Sequence, residues 1–158
     1  MSLRLFITAG EPSGDRLGAA LLAGLRTLAP DAEVRGIGGP AMAAEGLASR
    51  FPMEELSVMG IAEVVPRLPN MLRRIRETAA AIGTWQPDAL ITIDVPDFSL
   101  RVARAARKLN PALRTIHYVA PTVWAWRPGR AAKMAEVIDH VLALLPFEPP
   151  YMQAAGMT

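Results

Sequence analysis

The sequence predicts an open, parallel, Rossmann-like α/β sheet with helices on both faces, and three features predict it. Short apolar runs of strand formers alternate with longer amphipathic stretches along all 158 residues. Ala89-Leu90-Ile91-Thr92-Ile93 is nearly continuous in its apolarity, as a strand covered on both faces should be. The first unit, residues 3–28, reads as strand, glycine turn and helix, which is half of a βαβ unit.

In that first unit, Leu3-Arg4-Leu5-Phe6-Ile7-Thr8-Ala9 is the strand and Gly10-Glu11-Pro12-Ser13-Gly14-Asp15 the turn. Leu17, Leu21, Leu22, Leu25 and Leu28 then recur at helical spacing. Ser13 or Asp15 is expected to cap this helix, whose free N–H groups attract an anion or a sugar oxygen. Gly10, Gly14 and Gly18 fall four apart, which is not the dinucleotide fingerprint, so no nicotinamide or flavin cofactor is expected. The bland reading has Gly10 and Gly14 merely permitting the turn. Glu11 opposes it, because a carboxylate at a strand's carboxyl end points into a cleft more readily than it serves the fold.

Further along, Pro30-Asp31 turns the chain into a short strand over residues 32–38. Pro40 suits the first position of a short helix reaching Glu45, and Gly46 suits its cap. Residues 51–56 show no clear period. Helical pieces are expected at 61–65 and 69–84, separated by Pro66 and Pro69. The buried run 89–93 ends at Asp94-Val95-Pro96-Asp97-Phe98, and a basic helix runs from about Ser99 to Leu109 before Asn110-Pro111. Residues 113–119 form the next strand, and Trp124-Ala125-Trp126-Arg127-Pro128-Gly129 leads into a helix over 130–138. A strand at 141–145 and a helix at 147–155 follow. The closing helix and Gly156 look like the lead-in to one more strand, so the chain is expected to be part of a longer protein.

Composition narrows the class. Hydrophobic residues make up 51% and charged residues 20%, which excludes a disordered chain. A net charge of +2 gives no case for nucleic acid. The absence of cysteine removes disulfides and thiolate metal sites. No stretch approaches the roughly 18 apolar residues of a spanning helix, and residues 1–4 lack signal-peptide order, so a cytoplasmic location is expected.

Parallel strands place all their carboxyl ends on one side, so Glu11, Ser13, Asp94, Asp97 and His117 converge on one rim. Asp94 directly follows the buried run and is the candidate general base, close to low-dielectric surroundings that raise a carboxyl pKa. A turn former or helix cap is its structural alternative. Asp97 reads as the cap of the following helix. His117 is either a satisfied core histidine or a cleft donor. These carboxylates and one histidine show no metal-ligand spacing, so no metal is expected. Trp124, Trp126 and Arg127 either pack against helices or make a sugar platform with an arginine for phosphate.

The stretch 64–76 stands apart. Val64, Val65, Leu68, Met71, Leu72 and Ile75 fall at helical intervals, interleaved with Arg67, Arg73, Arg74 and Arg76. A buried helix face explains the leucines but not why arginine is the only charge from 67 to 76. A basic amphipathic helix resting on an anionic bilayer explains both.

The turn at 10–15, the segment Met53-Glu54-Glu55-Leu56-Ser57-Val58-Met59-Gly60-Ile61, the run 93–98, the block from His117 to Arg127 and Leu145-Pro146-Phe147-Glu148 occur in one order. Together they resemble the N-terminal half of the lipid-A-disaccharide synthase family, and the likeness covers essentially the whole chain. It implies an inverting GT-B glycosyltransferase of two Rossmann-like halves in lipid A, hence lipopolysaccharide, biosynthesis. Such an enzyme moves diacylglucosamine from UDP-diacylglucosamine to the 6-hydroxyl of diacylglucosamine 1-phosphate and releases UDP. The resemblance makes Asp94 the candidate base and puts Glu11 and Ser13 in the cleft, with Gly14, His117, Trp126 and Arg127 also expected on substrate. It puts the 64–76 stretch against the inner face of the inner membrane. The family's UDP site lies mainly in the C-terminal half, which is absent from these 158 residues. The chain is therefore expected to be one acceptor-side, membrane-docking domain, silent alone, with a homodimer of the full-length form left open. The alternative is a non-enzymatic Rossmann-like module that binds a nucleotide or sugar phosphate at the Gly10 turn.

Overall fold

The computed structural model describes residues 1–57, 61–120 and 129–158, with only the backbone of 61–64. Its strands are β1 (Arg4–Ala9), β2 (Glu33–Ile37), β3 (Ala89–Ile93), β4 (Arg114–Tyr118) and β5 (His140–Leu142). They form one sheet in the order β2-β1-β3-β4-β5, and every pairing is parallel. The helices are α1 (Pro12–Leu28), α2 (Pro40–Ala44), α3 (Ile61–Trp85), α4 (Pro96–Leu109), α5 (Gly129–Ala135) and α6 (Pro149–Ala154), with a 3-10 turn at Met53–Leu56. The predicted open α/β architecture is therefore the observed one.

Strand alternation divides the interior in two. Leu5, Ile7, Ala9, Ile91 and Ile93 face α1 and α2, against Leu22 and Met42. Phe6 and Leu90 face the other way, against Ile75 and Ile82 of α3 and Val102 and Ala106 of α4. All five residues of β3 are buried, as its unbroken apolarity requires. Each fully buried Ile, Leu or Phe contributes about 1.5–3 kcal/mol, so the centre of the sheet anchors the fold. At Gly36 (φ +154°) a Cβ would lie 1.7 Å from the Ile7 carbonyl oxygen, so only glycine lets β2 pack beside β1.

Several expectations change. α3 is one helix through Pro66 and Pro69 rather than two pieces. The two missing N–H groups remove ladder bonds, but both prolines lie on the solvent-exposed side of the helix, where their rings displace no packing. Beyond them Ile75, Thr78, Ala79 and Ile82 bury one face and hold the helix to the sheet. α4 starts at Pro96, not near Ser99, because proline suits a helix's first position. Asp97 thus lies inside the first turn, and Val95 is the N-cap residue. Leu28 is exposed rather than buried. The 17 residues of α1 span about 25 Å, against about 20 Å for the 6 of β1, so the helix outruns the sheet.

Past α6, the Thr158 N–H donates to the Asp139 carbonyl, and its own carbonyl accepts from the Val141 N–H. That is the hydrogen-bond pattern of a parallel bridge on the outer edge of β5.

Candidate active site

Adjacent pairing of β1 with β3 sets the two strand-end turns side by side. Glu11 is the half-buried N-cap residue of α1, with no side-chain capping bond, and the Asp15 N–H donates to its carbonyl at 2.9 Å. Ser13 is exposed and Gly14 buried. Gly10 is small for a reason: a Cβ there would come 2.8 Å from the Val95 side chain and 3.2 Å from Leu56. The Ser57 hydroxyl donates to the Gly10 carbonyl at 2.7 Å. The first turn is therefore pressed against the turn that follows β3.

That second turn is strained. Asp94 (φ 52°) and Val95 (φ 38°) are both left-handed, and Val119, at the end of β4, has φ 83°. Bulky residues seldom adopt this region, and such outliers cluster at functional sites. The Asp94 N–H donates to the Tyr118 carbonyl at 3.1 Å, its carbonyl accepts from the Ser99 hydroxyl at 2.7 Å, and its side chain is half-buried.

His117 sits one layer below the rim. It is 2% exposed, and its Nδ1 lies 2.8 Å from the Thr92 hydroxyl, its register partner. Burial pushes the imidazole down to about 4, so it is a neutral core histidine at pH 7 and not a cleft donor.

Asp15 caps a different helix from the one expected. Its buried carboxylate accepts the N–H groups of Gly39, Ala41 and Met42, each at 2.9 Å, so it closes the start of α2 rather than α1. A bond spanning 24 to 27 residues leaves no local signature in the sequence.

Two grooves flank the Pro96–Asp97 ridge. One, of about 290 Å³, runs from Glu11 and Val95 past Leu56 and Phe98 to Leu68 and Met71 of α3. The other, of about 460 Å³, is bordered by Leu100 and Met134 and by the cations Arg130 and Lys133. The sequence places Asp97 on this rim, as a helix cap, but nothing in the spacing of Arg130 and Lys133 marks them. Trp124, Trp126 and Arg127 lie outside the described residues.

On α3, Val65 is 65% exposed, Leu72 40% and Leu68 38%, while Met71 is half-buried against the core. Ile75 is buried at 6%, which removes it from the expected surface patch; it anchors the helix. The Val64 side chain lies outside the described residues. Arg74 also leaves the patch. Its guanidinium pairs with both carboxylate oxygens of Glu55, reaches Glu77 and lies 4.4 Å over the Phe51 ring. The Arg74 guanidinium holds the Glu55 carboxyl down at about 2, with Asn70 assisting. Arg73 bonds Asn70 and Glu77. The neutralising acids stand outside the 67–76 window, which is why that window alone looked uniformly basic.

The family model described as lipid-A-disaccharide synthetase matches residues 5–158. A lipid-A-disaccharide synthase of Ruegeria pomeroyi is 67% identical over 98% of the chain and 38% of its own length. One from Rhodospirillum centenum is 54% identical over 98% of the chain and 39% of its own length. The chain thus spans about two fifths of the curated relatives it matches. Among solved structures, a UDP-GlcNAc 2-epimerase of Neisseria meningitidis bound to UDP-GlcNAc superposes with a TM-score of 0.61 at 10% identity. That match covers 99% of the chain and 43% of the epimerase, and at such identity it speaks for the fold alone.

Proposed function

This chain belongs to the lipid-A-disaccharide synthetase family, and on that premise we propose that it is the N-terminal, acceptor-side domain of a GT-B glycosyltransferase. The whole enzyme would transfer 2,3-diacylglucosamine from its UDP conjugate to the 6-hydroxyl of 2,3-diacylglucosamine 1-phosphate. Asp94 is the proposed base: its carboxylate takes the proton of the attacking hydroxyl as the new glycosidic bond forms and UDP leaves from the opposite face. Glu11 and Ser13 sit on the neighbouring turn and are proposed to bind the acceptor sugar. The observation that carries this reading is the contact of the Glu11 turn with the left-handed Asp94–Val95 turn, beside two grooves that share the Pro96–Asp97 ridge. Both grooves are mainly apolar and each carries cations, Arg101 in one and Arg130 and Lys133 in the other, which suits a substrate with acyl chains and a phosphate.

Because both substrates carry acyl chains, the enzyme is proposed to work at the bilayer surface. Among the described residues no helix is long and apolar enough to cross a membrane. The proposed docking surface is Val65, Leu68 and Leu72, with the exposed face of Met71 and with Arg67, Arg73 and Arg76 around it. The UDP-binding half is proposed to follow residue 158, so this chain alone should make no disaccharide. The test is Asp94→Asn in the full-length enzyme, reading UDP release with circular dichroism as folding control. A general base is worth roughly 10² to 10⁴ in rate, and a loss below about tenfold returns Asp94 to a purely structural role.

A further inference from the structure

We propose that Ser99 is a positioning residue for Asp94, fixing the left-handed backbone from which the candidate base's side chain extends. This rests on the assignment of Asp94 as base. Ser99 is the fourth residue of α4 and fully buried (0% exposed). A helical serine hydroxyl ordinarily bonds back three or four residues, within its own helix. Here it reaches five residues back, to the Asp94 carbonyl at 2.7 Å, outside the helix. The Ser99 backbone N–H meanwhile donates to the Val95 carbonyl at 2.9 Å. One residue thus grips both carbonyls of the strained pair.

The remaining freedom of the turn is removed from other sides. The Asp94 N–H is bound to Tyr118 of β4, and the Val95 side chain lies against Gly10, where no Cβ intrudes. With the peptide groups on both sides of Asp94 fixed, only its side chain can still rotate. Deleting the hydroxyl leaves the Asp94 carbonyl short of its donor at a site where Ser99 admits no solvent to replace it. The left-handed pair then relaxes toward ordinary backbone angles and takes the carboxylate with it. A misplacement of about 1 Å at a reacting group can cost about 10²-fold.

The experiment compares Ser99→Ala, Asp94→Asn and the double variant in the full-length enzyme. Ser99→Ala is expected to lower kcat by about 10- to 100-fold with KM and the circular dichroism spectrum unchanged. Adding it to Asp94→Asn is expected to change nothing further, because it acts only through the lost carboxylate. Ser99→Cys, a near-isostere with a weak donor, is expected to fall between and serves as the reading should the alanine variant not fold. Wild-type kcat in Ser99→Ala beside an inactive Asp94→Asn overturns the positioning role alone. Multiplicative losses in the double variant also overturn it, since Ser99 would then act elsewhere. An active Asp94→Asn overturns the base assignment, and the proposal with it.

Discussion

Replacing Asp15 by alanine should cost stability rather than chemistry, although Asp15 lies inside the turn that looks most like a ligand site. Its carboxylate accepts three backbone N–H groups at the start of α2 and is 3% exposed. A hydrogen bond to a charged group contributes about 1.5–3 kcal/mol, and a buried donor left without a partner costs about 1–3. The three bonds share one carboxylate whose own desolvation must be offset, so they do not add fully. A net loss of about 4 kcal/mol is expected. α2 has 5 residues and cannot persist alone, so the loss should spread to Met42 and the core against α1. For a chain of this length about 1 kcal/mol moves the thermal midpoint by about 2–4 °C, giving a fall near 10 °C. Asp15→Asn keeps an oxygen for Gly39 and Met42 but turns an amide donor toward the Ala41 N–H, so an intermediate midpoint is expected. Thermal melts followed by far-UV circular dichroism decide the matter. A midpoint within about 2 °C of the parent in Asp15→Ala would refute the capping argument.

Two other outcomes can be measured. Burial holds His117 at about 4, below its ordinary 6.5, so on acidification the unfolded chain takes up the proton first. Stability should be full above about pH 6.5 and fall as pH drops toward 4, by about 3 kcal/mol in all. Urea midpoints against pH for the parent and His117→Asn test this, and parallel curves would sink it. Glu55 titrates in a different window: its carboxyl is lowered from 4.5 to about 2, so its contribution holds above about 4.5 and is lost only below that. For docking, Leu68→Glu with Leu72→Glu should abolish co-sedimentation of the full-length enzyme with anionic vesicles, and unchanged sedimentation would end the membrane proposal.

Sheet and crossovers were legible because they rest on local pattern. Continuous apolarity marked β3, and glycine or proline marked the ends of β1, α2 and α4 to within a few residues. α3 was misread as two pieces because a proline rule is an energy, not a prohibition. Burial of Ile75, Ala79 and Ile82 outweighs the ladder bonds lost on that exposed stretch. The site was legible only in part. Convergence of Glu11 and Asp94 follows from parallel strands. The burial of His117, the partners of Asp15 and the left-handed backbone at Asp94, Val95 and Val119 depend on contacts distant in sequence, and no short window carries them.

Counterions settle how the proposed membrane contact should behave. Four arginines on one helix would give about 4 kcal/mol on an anionic surface, and a contact dominated by that attraction would dissolve in salt. Arg74 is spent on Glu55 and Glu77, and Arg73 is shared with Glu77 and Asn70. Arg67 and Arg76 make no ion pair among the described residues. The electrostatic share is then nearer about 2 kcal/mol, while Leu68, Leu72 and Val65 can each bury methylenes at about 0.8 kcal/mol apiece. Attachment should therefore weaken only modestly between low and high salt, because screening acts on the smaller part. It should fail when the leucines are charged. Binding that vanishes in salt while surviving Leu72→Glu would mean that the arginines, not the apolar face, meet the membrane.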